Sequence, residues 1–230
     1  MSVALTLLFL VSTAFIFIWR KRHNMQIKRW KRTLALDKHH VVFCELYATV
    51  NGFTLSQRAR RARDSMEFVY GEIDFESFIA LMSLCKPDSS TIFYDLGSGT
   101  GKAVLACAMV FNVRKSCGIE LFDNLYHCAE LQRQRLKTFN EYQKKSETIV
   151  FEQGNFLDVV FDDATLVFIN ATTFFAEHWL QISRHLEQVR PGAVVVSTSK
   201  ALASRQFTTK RITPVKMSWG VVNAFIQQRL

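Results

Sequence analysis

The stretch from Thr91 to Lys102, TIFYDLGSGTGK, constrains the fold of this chain more than any other segment. A short apolar, strand-like run ends in Asp95, three glycines then occupy alternate positions, and a helical pattern begins at Lys102. Glycine adopts a positive φ without a Cβ clash and leaves room for a ligand against the backbone. The segment therefore predicts a strand–turn–helix unit whose turn lies against a bound ligand. The glycines predicted to contact that ligand are Gly97, Gly99 and Gly101.

The spacing of these glycines distinguishes two classes of ligand. A dinucleotide fold carries G-x-G-x-x-G, so that a pyrophosphate rests on the helix N-terminus, whereas here the third glycine comes one residue earlier. Asp95 at the strand end would repel a pyrophosphate but can accept hydrogen bonds from the ammonium group of an amino acid. Glu120 ends the next strand-like run, where an acid can accept from ribose hydroxyls. The pattern therefore predicts S-adenosylmethionine, rather than a nicotinamide dinucleotide, as the cofactor.

Strand-like and helical patterns alternate on both sides of this turn. Helices are predicted over residues 75–84, 102–110, 125–137 and 175–189, and further strands over 115–119, 148–152, 165–170 and 193–197, with room for two more between 206 and 229. A chain of 230 residues, 49% hydrophobic, can bury one sizeable core. The sequence predicts an α/β fold with a doubly wound, seven-stranded, mostly parallel sheet, the architecture of a large class of methyltransferases.

The first nineteen residues predict a membrane anchor. The seventeen residues from Val3 to Trp19 carry no charge, and a helix of that length spans roughly 25 Å, close to the ~30 Å hydrocarbon core of a bilayer. Positive charges precede the apolar run in a secretory signal, whereas here residues 20–22, RKR, follow it. We expect a single-pass membrane protein with its catalytic domain on the cytoplasmic side. A buried N-terminal helix and a cleaved signal are the alternatives.

Positive charge is concentrated between this anchor and the predicted core. Residues 20–63 contain twelve Lys or Arg and two acidic residues, whereas residues 64–230 contain seventeen basic and eighteen acidic residues. A basic arm on a near-neutral domain is typical of a segment that contacts anionic lipid or nucleic acid. The predicted division is an anchor over 1–19, a basic helical lead-in over 20–64 and a catalytic domain over 65–230. The five cysteines show no zinc-ligand spacing, so no metal site is predicted.

Several further motifs resemble one enzyme family. YGE at residues 70–72, GNF at 154–156, FINATTF at 168–174 and SWG at 218–220, together with the glycine turn, are similar to motifs of the disruptor-of-telomeric-silencing (Dot-one-like) histone lysine methyltransferases. The resemblance covers about residues 65–230. It implies the class I seven-strand methyltransferase fold and S-adenosylmethionine as the cofactor. It also implies that the methyl acceptor is a lysine side chain of a protein, with histones as the family's substrate.

The resemblance also implies roles for individual residues. Cofactor-binding roles are implied for Tyr70, Glu72, Asp95, Gly97, Gly99, Gly101, Glu120, Asn155, Phe156 and Asn170. Catalytic roles, beside the transferred methyl group or in the wall of the lysine channel, are implied for Asn170, Tyr70, Trp219 and Phe225. The family's NNFAF stretch is NATTF here, so Thr172 stands in place of a phenylalanine. That departure leaves the identity of the methyl acceptor open.

In-line methyl transfer requires an enzyme to align a neutral amine and exclude water, and an apolar, aromatic channel lowers the pKa of a lysine. The sequence therefore predicts an S-adenosylmethionine-dependent protein lysine N-methyltransferase. A methyltransferase of small molecules or lipids would use the same cofactor residues. A non-catalytic, membrane-tethered binding protein would keep the fold without the cofactor. A nicotinamide oxidoreductase would need the other glycine spacing.

Overall fold

The computed structural model describes residues 3–62 and 70–230, without the side chains of residues 3–12, 14 and 62. The chain divides into two compact units, residues 1–42 and 43–230. The three-part division predicted from the sequence, with boundaries after residues 19 and 64, stays a prediction.

Residues 1–42 are helical wherever they are described, apart from a short break. Helix α1 runs from Val3 to Thr33, and α2, Leu36–Tyr47, continues into the second unit. In the described part of the chain, no helix has the length and apolar character needed to cross a bilayer. The predicted anchor over residues 1–19 falls largely outside the described residues, because most of its side chains are not described. The anchor therefore stays a prediction.

Two further helices precede the sheet in the second unit. Helix α3, Gly52–Ala59, begins at Asn51, whose side chain caps it by accepting from the Thr54 N–H at 3.0 Å. Helix α4, Phe75–Cys85, begins at Asp74, whose carboxylate caps it in the same way. The helix predicted over residues 75–84 is thereby confirmed.

Seven strands form one sheet, in the spatial order β3-β2-β1-β4-β5-β7-β6. They are β1 (Ile92–Leu96), β2 (Lys115–Glu120), β3 (Ile149–Gln153), β4 (Leu166–Ile169), β5 (Val194–Thr198), β6 (Phe207–Met217) and β7 (Gly220–Arg229). The first five are mutually parallel, whereas β7 is antiparallel to β5 and β6. The connecting helices are α5 (Lys102–Val110), α6 (Asp123–Lys137), α7 (Gln143–Glu147) and α8 (Ala176–His185). The predicted seven-stranded, mostly parallel sheet is confirmed.

Strand β1 shows how helices cover both faces of this sheet. Ile92 and Tyr94 lie in a buried cluster with Trp179 of α8. Phe93 lies on the opposite face, where its ring contacts that of Phe78 in α4, with centroids 6.1 Å apart. All five residues of β1 are buried, because successive side chains of a strand point to opposite faces and both faces are covered.

The strand order determines where a ligand can bind. From β1 the chain continues outward to β2 and β3 on one side, then returns to β4 on the other side of β1. In such sheets the crevice lies at the carboxyl ends of the strands where the order reverses. Asp95 is the fourth residue of β1 and Glu120 is the last residue of β2, so both predicted acids lie at this edge.

Candidate active site

One cavity opens at the carboxyl ends of the parallel strands, between β1 and the segments that follow β2, β3 and β4. It contains about 1110 Å³ of space free of protein atoms, its solvent-open mouth included, which is enough for a nucleoside joined to an amino acid. The predicted site residues that line it are Tyr70, Glu72, Asp95, Gly97, Gly99, Glu120, Asn155, Phe156 and Asn170. The lining does not include Gly101, Trp219 or Phe225.

Asp95 is buried in this cavity, and no hydrogen bond reaches its carboxyl group from the described residues. Burial, with a smaller contribution from the charge of Glu120, raises the pKa of Asp95 to about 8. The buried hydroxyl of Ser98, in the turn that follows β1, also lacks a partner among the described residues. Buried polar groups are normally hydrogen-bonded. The cavity therefore presents an acid that a cationic ligand would satisfy.

Glu120, in contrast, is held in one orientation by the backbone. Its Oε2 accepts from the Gly99 N–H at 2.7 Å and its Oε1 from the Phe122 N–H at 2.9 Å. Burial raises the pKa of Glu120, and these backbone bonds act in the opposite direction. Each carboxylate oxygen retains a lone pair for another donor. Glu120 can thus accept from a pair of neighbouring hydroxyl groups while it fixes the glycine turn.

The turn has glycine at positions where a Cβ would displace the neighbouring chain. Gly99 has φ 56°, and a Cβ there would lie 2.7 Å from Cε2 of Tyr70. A Cβ on Gly52 would lie 2.5 Å from the Tyr70 hydroxyl. The Tyr70 ring therefore occupies a slot between two backbones that only glycine leaves open.

Gly101 has a different reason to be glycine. It has φ 81°, and a Cβ there would lie 2.6 Å from Cζ of Phe151 and 2.9 Å from Cβ of Ala129. This position brings the start of α5 close to β3 and α6, away from the cavity. Packing accounts for this glycine, and its contact with the cofactor stays a prediction.

A polar network joins the loop over residues 70–73 to the glycine turn. The Tyr70 hydroxyl donates to Oε1 of Glu72 at 2.7 Å and lies 3.0 Å from Oγ1 of Thr100. Lys102 Nζ donates to Oε2 of Glu72 at 2.6 Å, and its ammonium lies 5.2 Å from the centre of the Tyr47 ring. Burial, reinforced by the charge of Glu72, raises the pKa of Tyr70, so its hydroxyl remains a donor. Glu72 thereby ties the loop to α5.

Lys102 lines the cavity but was not among the predicted site residues. One signal in the sequence could have identified it. Lys102 is the first residue of α5, where the helix dipole disfavours a cation. A lysine at this position indicates a nearby anionic partner, and the structure shows Glu72 in that role.

The loop over residues 70–73 is also joined to the far edge of the sheet. Ile73 forms an isolated antiparallel bridge with Met217, and the Ser218 N–H donates to the Glu72 carbonyl at 2.8 Å. Gly71 lies against the indole of Trp219, because a Cβ there would be 1.9 Å from Cζ3 of that ring. Trp219 thus supports the loop from outside the cavity. Phe225 is half-buried within β7, paired with residues of β5 and β6.

Aromatic side chains form the opposite wall. The rings of Phe156 and Phe174 meet edge to face with centroids 6.0 Å apart, and Phe174 and His178 do so at 5.3 Å. Asn155 begins the short helical turn that carries Phe156, and its Oδ1 accepts from the Leu157 N–H at 3.1 Å. Phe174 and His178 line the cavity although the sequence analysis did not assign them to the site. Such a wall suits a flat heteroaromatic ring.

Comparisons with known proteins agree with this geometry. A sequence model of the family described as "Histone methylation protein DOT1" matches residues 54–221. A "Histone-lysine N-methyltransferase, H3 lysine-79 specific" of Caenorhabditis elegans is 30% identical over 151 residues, which cover 63% of this chain but only 16% of that protein. A "Protein-lysine N-methyltransferase" of Saccharolobus islandicus is 30% identical over 118 residues, which cover 51% of this chain and 67% of that protein.

The solved structures extend the comparison to the fold. An RNA methyltransferase from Salinibacter ruber, in complex with S-adenosyl-L-homocysteine, superposes with a TM-score of 0.50 at 20% sequence identity. The match covers 66% of this chain and 90% of that chain. At this level of identity the likeness concerns the fold alone.

Proposed function

Because the chain belongs to the DOT1 histone methylation family, whose model spans residues 54–221, we propose that it is an S-adenosylmethionine-dependent protein lysine N-methyltransferase. One observation carries the proposal: two buried carboxyl groups, Asp95 and Glu120, lie at adjacent strand ends on one cavity, and the first lacks a donor among the described residues. A ligand that combines an ammonium group with a ribose satisfies both. S-adenosylmethionine is such a ligand.

The residues around the cavity fit the parts of this cofactor. Asp95 would accept from the methionine ammonium group and Glu120 from the ribose hydroxyls. Phe156 would contact the adenine, and Gly97 leaves the backbone open, since no atom lies within 4 Å of a Cβ built there. When bound, the cofactor supplies a methyl group on a positively charged sulfur.

The remaining residues act on the acceptor. The loop over residues 70–73, held by Glu72 and the sheet edge, would exclude water from the reacting atoms and keep the amine aligned. A lysine that enters a cavity with aromatic walls loses hydration, which lowers its pKa and supplies the neutral amine. Trp219, 45% exposed beside Gly71, would border the channel through which that lysine enters.

The proposal is tested with cofactor labelled on the methyl group. We expect the protein to transfer label to proteins of a cell extract or to purified histones, and mass spectrometry to locate the methyl groups on lysine. Label that appears only in the lipid or small-molecule fraction would instead identify a methyltransferase of those acceptors. A protein that binds no S-adenosylmethionine in calorimetry would contradict the enzymatic function altogether.

We also propose that residues 1–19 form a single-pass anchor that places the catalytic domain on the cytoplasmic side. The described residues 15–19 of α1 are all 49–69% exposed and apolar, and five consecutive helical residues cover every face. A helix that is apolar all round suits lipid. The basic residues 20–63 would then contact anionic headgroups. Alkaline carbonate extraction should leave the full chain in the membrane pellet and release a variant without residues 2–19.

The same basic segment can be tested for its anionic partner. Flotation with phosphatidylserine vesicles should retain residues 20–230, and vesicles of phosphatidylcholine alone should not. Release from these vesicles by competing double-stranded DNA, at an ionic strength where the protein alone still floats with them, would favour nucleic acid instead.

Cofactor binding should depend on pH through Asp95. Since its pKa is raised to about 8, Asp95 is protonated in the free protein near pH 6 and must ionise to pair with an ammonium group. Affinity should therefore rise, by up to about tenfold per pH unit, between about pH 6 and pH 7.5, with release of a proton. Above about pH 8 the amino group of the ligand itself loses its charge. Calorimetry in buffers of different ionisation enthalpy measures the proton, and affinity that falls over this interval would contradict the assignment.

A further inference from the structure

The side chain of Asn170, which follows β4, is surrounded by hydroxyl groups. Its Oδ1 lies 2.7 Å from Oγ1 of Thr198 and 3.0 Å from Oγ1 of Thr172, and both hydroxyls donate to it. Its Nδ2 donates to the carbonyl oxygen of Gly71 at 3.2 Å. Asn170 therefore connects β5 and the segment after β4 to the middle of the loop over residues 70–73.

The assignment of a donor and an acceptor to each hydrogen bond of these hydroxyls determines the orientation of the Asn170 amide. Thr198 Oγ1 accepts from the Ala171 N–H at 3.2 Å, so its own proton is available for Asn170. Thr172 gives its proton to Asn170 and lies 2.8 Å from Oγ of Ser199, which must therefore donate to Thr172. A flipped amide would place its oxygen against the Gly71 carbonyl. The arrangement with nitrogen toward Gly71 is the one in which every group has a partner.

This orientation determines which atom of the amide is available to a substrate and which is held by the protein. An amide oxygen has two lone pairs, and both are occupied by Thr172 and Thr198. The oxygen is thus not available to accept from an incoming amine. The nitrogen instead holds the carbonyl of Gly71, the residue between Tyr70 and Glu72, both of which line the cavity.

The surrounding backbone supports the arrangement. Thr198 is fully buried at the end of β5, so its hydroxyl has no alternative partner in solvent. Ser199 has φ 68°, a left-handed conformation that is uncommon for residues other than glycine. Its N–H is held by the Asn223 carbonyl at 2.7 Å, and its hydroxyl reaches Thr172.

We infer that Asn170 is a hydrogen-bond donor that clamps the loop over residues 70–73 at Gly71, and that Thr172, Thr198 and Ser199 are positioning residues that fix its amide. The expected effect of this clamp on catalysis rests on the proposed methyltransferase function. The hydrogen bond from Asn170 to Gly71 is present in the protein without any ligand. Thr172, which stands where the resembled family has phenylalanine, supplies one of the two donors.

Asn170→Asp separates this clamping role from the alternative, in which the side-chain oxygen of Asn170 accepts a hydrogen bond from the acceptor amine. The carboxylate still accepts from Thr172 and Thr198, but its second oxygen faces the Gly71 carbonyl and cannot donate. In the ligand-free full chain, we expect hydrogen exchange of the amides of residues 70–73 to accelerate at least tenfold. We also expect the cofactor Kd to rise about tenfold and kcat to fall at least 30-fold. The KM for the acceptor should change less than threefold. Unchanged exchange and retained kcat in Asn170→Asp would assign Asn170 to accepting from the amine and overturn the clamp.

Substitutions of Thr172 test the positioning role. Thr172→Val removes the hydroxyl and keeps the shape, and should accelerate exchange of residues 70–73 and raise the cofactor Kd about threefold to tenfold. Thr172→Ser keeps the hydroxyl and should remain within twofold of wild type. Equal damage by Val and Ser would show that the hydroxyl is not the cause and contradict the inference. Because exchange is measured without cofactor, it decides the clamp even if the wild-type protein binds no S-adenosylmethionine, a result that would refute the proposed function alone.

Discussion

Asp95→Asn is expected to weaken the binding of S-adenosylmethionine by roughly 100-fold or more, because it leaves a buried ammonium group without its counter-charge. Asparagine has the shape of aspartate, and no hydrogen bond from the described residues depends on the carboxyl group, so the fold should be kept. Titration calorimetry near pH 8, where Asp95 of the wild-type protein ionises readily, measures the loss.

Asp162→Asn is the matched control. Asp162 is exposed in the turn before β4 and does not line the cavity, so the variant loses the same charge at a distance from the ligand. We expect its affinity to stay within about twofold of wild type, since an exposed charge is screened by solvent. Binding by Asp95→Asn within threefold of wild type would mean that the two carboxyl groups do not form the cofactor site, and the proposed function would lose its main support.

The parts of this site that could be predicted are those that depend on local pattern. The helix predicted over residues 102–110 is the observed α5, because its apolar residues and the preceding glycines are contiguous in sequence. The sequence also predicts that Asp95 and Glu120 lie at strand ends, and the structure shows both at one edge of the sheet. They share this edge because β1 and β2 are parallel, and the carboxyl ends of parallel strands lie at the same edge.

The parts that could not be predicted depend on contacts between distant segments. Lys102 meets Glu72 thirty residues away, and Trp219 meets Gly71 only because β6 ends beside the loop over residues 70–73. Phe225 pairs with residues of β5 and β6 and does not line the cavity. Neither periodicity nor spacing contains this information.

Gly101→Ala is expected to lower the free energy of unfolding by about 3 kcal/mol, from left-handed backbone strain of about 1–2 kcal/mol and overpacking of about 1–3 kcal/mol. The added Cβ would lie less than 3 Å from atoms of Phe151 and Ala129, and both of these residues are buried. Gly192→Ala is the matched control, because Gly192 has φ 86° but no atom within 4 Å of its Cβ. It should cost about 1 kcal/mol, the strain alone. Urea denaturation without cofactor measures both variants.

A second substitution keeps this prediction decisive if Gly101→Ala folds poorly. Phe151→Leu removes the ring tip that lies 2.6 Å from the added Cβ. The free energy of unfolding of the double variant should therefore fall by about 1 kcal/mol less than the sum of the two single losses. Such non-additivity is expected for residues in direct contact. If Gly101→Ala costs no more than Gly192→Ala, or Phe151→Leu brings no recovery, the packing of α5 against β3 is not what requires glycine at this position. Contact with the cofactor, as predicted from the sequence, would then be the better explanation.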